Sequence, residues 1–128
     1  MASLFSHLIL DVEDIDRSLQ FYSGLLHLAV RRQESCDGHK LAYLTTGQTE
    51  ILLVQQPRHE QNPLLDRSGG LVINFHVHNL PTMADELSKN RVPVLRDLED
   101  PKFGERTFLV ADPDGYAVLL SETLETLH

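Results

Sequence analysis

The feature that most constrains this chain is an internal repeat. Residues 7–15 read HLILDVEDI, and residues 72–80, beginning 65 residues later in a chain of 128, read VINFHVHNL. A repeat of half-chain length dictates architecture before any single motif does, because each copy must build the same supersecondary unit. In both copies alternate residues are apolar: Leu8, Leu10 and Val12 in the first, Ile73, Phe75 and Val77 in the second. That period of two marks a strand packed on one face. Each strand ends in a polar turn and leads into a helix.

In the first helix Asp14 or Asp16 serves as N-cap. Ile15, Leu19, Phe21, Tyr22 and Leu25 or Leu26 then follow near i, i+4, i+7 spacing, with Gly24 near the end. The second helix has Pro81 in its first turn with Thr82 beside it, then Met83, Ala84, Leu87 and, past Asn90, Val92. Strand-like runs follow each helix: AVRRQ, KLAYLTTG and EILLVQQ after the first, VPVLRDL, RTFLVAD and YAVLLSE after the second. The fold class is therefore α+β, with two βαβββ modules in a single domain spanning 1–128. Module 1 covers about residues 1–56 and module 2 about 71–128, joined by a linker at about 57–70 within the stretch QQPRHEQNPLLDRSGG, which is rich in Pro, Gly, Asn and Gln. Asp112-Pro113-Asp114-Gly115 and Thr45-Thr46-Gly47-Gln48 occupy corresponding hairpin turns.

Composition bounds the function. A chain of this length with 41% hydrophobic residues buries enough surface to fold without disulfides or a structural metal. A single Cys36 excludes an internal disulfide framework and a multi-thiolate zinc site. No run stays apolar for the ~20 residues of a membrane helix, and MASLFSHLILDVED lacks the basic start and long apolar core of a signal peptide. The expectation is a cytoplasmic protein with no membrane partner. Nineteen acidic against 11 basic residues give a net charge of −8, with both halves acidic. Nucleic acid is excluded as a partner, since phosphate contacts need clustered positive charge; a cationic small molecule would be weakly favoured.

The segments SHLILDVEDIDRSLQFYSGLLHL and FGERTFLVADPDGYAVLL, set in the repeated βαβββ unit, resemble the vicinal oxygen chelate superfamily. That superfamily includes glyoxalase I, methylmalonyl-CoA epimerase, extradiol dioxygenases, fosfomycin-resistance enzymes and bleomycin-resistance proteins. The resemblance covers essentially the whole chain. It implies a glyoxalase-like fold in which each module curls into a mixed half-barrel sheet, two of which face each other around a cavity, often in a homodimer.

The resemblance also implies where a divalent metal would be held: one residue at the start of the first strand and one on the last strand of each module, usually His and Glu or Gln. Such a cation needs three or four converging N/O donors with open positions for substrate. Here the first-strand positions are His7 and Val72, and the last-strand positions are Leu52 and Leu119. Three of four donors are aliphatic, so no metal is expected; a shifted site, if present, would use His7 with Glu50 or His76. Two residues along a strand is roughly 6–7 Å, which displaces His76 from the level of His7.

What the alternating pattern leaves on the concave face is an apolar lining of Ile9, Leu52, Val54, Val72, Phe108 and Leu119. Its polar handles are His7, Asn74, His76, Gln56 and Ser121. This is either a small-molecule pocket or a barrel filled by its own side chains. His7 and His76 are the candidate general bases for a metal-free reaction. His27, His39, His59 and His128 read as surface residues, and Cys36 as an exposed hairpin thiol. Arg31-Arg32 and the stretch Asp97 to Asp100 read as solvated charge, while Tyr43 and Arg106 read equally as ligand contacts or edge packing. Three functions follow: a binding protein sequestering a cationic or aromatic ligand; a metal-dependent lyase, epimerase or dioxygenase with a shifted ligand set; or a structural or regulatory module with a filled barrel.

Overall fold

Each half of the chain builds a four-stranded mixed sheet with one helix crossing it. The computed structural model describes residues 3–57, 70–99 and 104–123. Its two compact units are Met1–Leu65 and Asp66–His128. Most of the linker, residues 58–69, lies outside the described residues, as do His59, Asp100 and His128.

The first unit contains β1 (Leu8–Asp11), α1 (Ile15–Leu19) running on as a π-helical segment Gln20–Leu25, β2 (Ala29–Cys36), β3 (His39–Thr45) and β4 (Glu50–Gln55). The second contains β5 (Val72–His76), α2 (Leu80–Lys89), β6 (Val94–Arg96), β7 (Glu105–Ala111) and β8 (Ala117–Thr123). Both follow strand, helix, three strands. The sheet orders are β1-β4-β3-β2 and β5-β8-β7-β6. In each, the first strand lies parallel to the last and the other pairs are antiparallel. Neither sheet closes on itself. No described helix is long and apolar enough to cross a membrane.

The helix starts show how deeply the repeat runs. Asp14 caps α1, its carboxylate accepting from the Asp16 and Arg17 amides at 3.0 and 3.4 Å. The Ile15 amide donates to Gln55 Oε1 at 2.7 Å, tying the helix to the end of β4. Asn79, before α2, is left-handed with φ of 55° and makes no side-chain cap. Instead the Glu122 carboxylate on β8 accepts from the Asn79 and Leu80 amides. Gln55 and Glu122 are equivalent in the two modules: each follows, by one residue, the strand position facing the end of the parallel partner. Glu122 thus points to the helix side of its sheet, as strand alternation requires.

The first helix departs from the amphipathic pattern in its second half. Adjacent Phe21 and Tyr22 are both buried, with their rings edge to face at 4.9 Å. An α-helix turns neighbours about 100° apart. The wider π-type turn, closed by the Leu26 amide on the Phe21 carbonyl at 3.0 Å, lets both rings reach the core. The chain leaves this segment through His27 at φ 65° rather than through Gly24, which lies inside it.

Helix α1 packs on β3 and β4, and α2 on β7 and β8. The covered faces supply the core: Leu10, Ala42, Leu44 and Leu53 in the first unit, and Leu80, Leu87, Val110, Val118 and Leu120 in the second. Phe108, expected among the concave lining, belongs to this covered face. It registers with Leu120, which registers with Phe75, and it is only 2% exposed. Its parity along β7 is one residue out from the lining positions. Strand β6 is shorter than the run VPVLRDL because the ladder breaks between Val94 and Arg96.

The turns are as the residues dictate. Asp37 and Gly38 both have positive φ, the geometry of a two-residue I′ hairpin, and place Cys36 opposite His39 as an exposed thiol. In the other turn Asp112 Oδ1 accepts from the Asp114 and Tyr116 amides at 2.9 and 2.8 Å, and Gly115 takes φ of 92°.

Candidate functional site

The face of each sheet away from its helix carries most of the candidate site residues. In the first unit, register lines up Ile9, Leu52, Tyr43 and Arg32 across four strands, and Asp11, Val54, Leu41 and Glu34 in the next row. Ile9 is 58% exposed, Val54 is half-buried, and Leu52 is buried. His7 precedes β1 on the same parity, half-buried, its Nδ1 2.7 Å from Ser6 Oγ.

Glu50 stands at the start of β4, and both of its oxygens are bound by Arg31, through Nε and through Nη2 at 3.2 Å. The hydrogen bonds from Arg31, then its charge and that of His7, hold the Glu50 carboxyl below the usual carboxylate range; the same pair raises the Arg31 guanidinium. The guanidiniums of Arg31 and Arg32 lie 4.9 and 4.7 Å from the Tyr43 ring centre. Neighbours on a regular strand face opposite ways. A bulge between Val30 and Arg32 removes that constraint, so both arginines reach one ring.

In the second unit, the open face carries Val72, Asn74 and His76 on β5, all exposed, with Ala117, Leu119 and Ser121 beside them on β8. Ser121 is fully buried; its hydroxyl donates to Asn74 Oδ1 at 2.9 Å and lies 3.2 Å from His76 Nδ1. The expected handles Asn74, His76 and Ser121 are therefore brought together. His7 belongs to the other unit. Gln56, the remaining handle, lines a polar cleft of ≈520 Å³ at the start of α1 with Glu13, Asp14, Asp16, Arg17 and Lys40.

A divalent cation needs several converging N/O donors. Leu52 stands in register with Ile9, and Leu119 with Asn74, so the last-strand positions present aliphatic carbons. Val72 does the same on β5. Glu50 is near His7, but its carboxylate is already engaged by Arg31. Among the described residues no group of three or more His, Cys, Asp or Glu side chains converges. The residues do not fit the superfamily's metal.

A model of the Glyoxalase/Bleomycin resistance protein/Dioxygenase superfamily matches residues 4–120. The chain belongs to that superfamily. Among its relatives, the metallothiol transferase FosB of Staphylococcus epidermidis is 29% identical over 121 residues, covering 90% of this chain and 78% of that protein. Among solved structures, a glyoxylase/bleomycin resistance protein/dioxygenase domain from Frankia sp. EAN1pec superposes with a TM-score of 0.77 at 22% identity, covering 100% of this chain and 97% of the other. The fosfomycin resistance protein FosX of Listeria monocytogenes gives 0.75 at 15% identity, covering 98% of each chain. The glyoxalase-like fold is thus shared with both.

The superfamily's positions did not point to Arg31, Arg32 and Tyr43; the arginine pair reads in the sequence as solvated charge, and Tyr43 equally as a ligand contact or edge packing. Their one signal was an arginine doublet in a strand facing a tyrosine across a hairpin. The bulge that joins them leaves no mark in hydrophobic periodicity.

Proposed function

We propose that this superfamily member is a small-molecule binding protein of the glyoxalase/bleomycin-resistance type that works without the usual metal. The observation that carries this reading is the replacement of metal-donor positions by Leu52, Val72 and Leu119 on sheet faces that keep polar groups at their ends. Apolar walls with a few oriented polar groups are the composition of a ligand site. Arg31 and Arg32 around Tyr43 favour an aromatic ligand over a purely cationic one, since guanidinium and ring planes both offer stacking surfaces. The protein acts as a homodimer in this reading. Leu4 and Phe5, 92% and 73% exposed ahead of the edge strand β1, support it, and sedimentation at micromolar concentration checks it. Calorimetric titration with aromatic and cationic aromatic compounds tests binding: saturable heat supports the proposal, and silence across the set at high protein concentration refutes it.

The resemblance to a metallothiol transferase favours a second reading, a metal-dependent enzyme with a shifted ligand set around His7. Protein purified without chelator would then carry stoichiometric Ni, Zn, Mn or Fe, would consume a low-molecular-mass thiol in the presence of fosfomycin, and would lose that activity on His7→Ala. Metal-free protein with saturable ligand binding favours the first reading.

A further inference from the structure

The hydrogen bonds on the open face of the second sheet determine more than proximity. A serine hydroxyl has one proton to give. The Ser121 proton is committed to Asn74 Oδ1 at 2.9 Å, so the 3.2 Å contact with His76 Nδ1 closes only if the imidazole donates and Ser121 Oγ accepts. With Asn74 Oδ1 facing it, the fully buried hydroxyl has no other way to use both contacts. A neutral imidazole protonated on Nδ1 carries its lone pair on Nε2, and its other hydrogen bond decides which nitrogen that is.

We infer that Asn74, Ser121 and His76 form a positioning chain that presents the bare Nε2 of an exposed histidine as the hydrogen-bond acceptor of a ligand site, one suited to a neutral aromatic hydroxyl. This deepens the binding function proposed above and rests on it. The chain runs across a parallel strand pair in which His76 registers with Ser121, so β5 and β8 hold its members without a loop. Thr107 registers with Ser121 from β7 and is neutral. One step further toward the sheet end, Glu105 and Thr123 share the same parity, and His78 continues it in the turn; Glu122 is turned away to the helix α2. The cation in the adjoining row is Arg96 on β6, in register with Leu109, and its Nε is held by the Glu99 carboxylate at 2.6 Å. In the other direction come Leu119 and Leu109 in register, then Ala117, Ala111 and Val72. Leu119 lies two strand residues from Ser121, roughly 6–7 Å. A phenol is shorter than this from its oxygen to the far ring carbon, so its ring fits between Ser121 and the leucines and reaches their methyl groups while the hydroxyl meets Nε2.

The test has two arms. At pH 8, well above the ordinary imidazole pKa of about 6.5, nitrogen NMR of histidine-labelled protein is expected to show His76 with a pyrrole-like Nδ1 and a pyridine-like Nε2. Ser121→Ala, a small change at a buried position, should return the ring toward the Nε2-protonated form. A wild-type His76 protonated on Nε2 overturns the proposal whether or not any ligand binds. In the second arm, phenol and anisole are titrated separately. The two share an apolar body, and anisole lacks the donor. Phenol is expected to bind about tenfold more tightly, the scale of one hydrogen bond, and to lose that advantage in Ser121→Ala. Equal affinities for the two probes, or binding of neither, overturn this inference, while the binding function stands or falls with the full calorimetric set.

Discussion

Arg31 and Glu50 show what a single pair contributes on an open sheet face. Arg31 is exposed and Glu50 half-buried at the sheet surface, so their attraction is largely screened and adds little to folding stability. Its measurable mark is on titration. Because Arg31 hydrogen bonds hold the folded Glu50 carboxyl below its ordinary range, the pair's contribution is complete above the unfolded carboxylate pKa and is lost as pH falls through the lowered folded value. In Arg31→Ala, carboxyl-carbon NMR should find the Glu50 pKa raised toward that of an ordinary glutamate. The small stability difference between wild type and variant should shrink as the solution is acidified, and a difference that grows instead would show that Glu50 is not held by Arg31. His7 was legible as the polar residue opening an apolar strand. That Glu50 is engaged by an arginine was not, since a pair formed by residues 19 apart depends on how β2 and β4 lie beside β3.

At the scale of elements, the helices are held from the far ends of their sheets. Glu122 on the last strand serves the first amides of α2, where Asn79 makes no cap of its own. Glu122→Ala should therefore lower stability by about 1–2 kcal/mol, the range of a lost helix cap, with Glu122→Gln losing less because an acceptor oxygen remains; urea unfolding followed by circular dichroism measures both. The other end of α2 offers the opposite change. The Val92 amide bonds to the Leu87 carbonyl and the Arg91 amide to that of Ser88, both at 3.1 Å, which is a Schellman closure with Arg91 at φ 61°. Glycine takes that conformation without the Cβ clash, so Arg91→Gly should raise stability by about 0.5–1 kcal/mol in the same assay. The existence of these helices was readable from periodicity and from Asp14 and Pro81. Their stopping points were not, because His27 and Arg91 are left-handed where glycine would have announced the turn.

Across the molecule, each unit has an apolar core of its own, with Tyr22 and Leu53 fully buried in the first and Leu87 and Leu120 in the second. No described core position needs a metal to satisfy it, as no buried side-chain nitrogen or oxygen among the described residues lacks a partner. Dialysis against EDTA should leave the unfolding free energy from urea titration unchanged to within about 0.5 kcal/mol, and a fall of several kcal/mol would reveal a structural metal. A ligand present at a hundred times its dissociation constant should instead raise stability by about 2.7 kcal/mol, a shift any saturable binder of the native state must produce.

The amino-acid sequence by itself determined the repeated βαβββ plan, an aspartate cap at Asp14 or Asp16, the turns at Thr45 to Gln48 and Asp112 to Gly115, and the aliphatic residues where the resemblance places metal donors. These depend on local periodicity, backbone freedom and residue type, all of which are written along the chain. Only the tertiary structure decided that Phe108 belongs to the covered face, that Gln55 and Glu122 start helices, that two arginines meet on Tyr43, and that Asn74, Ser121 and His76 join in one hydrogen-bonded chain. Each of these turns on strand register or a one-residue bulge, and a shift of one residue reverses every side chain on a strand while leaving its hydrophobic pattern almost the same.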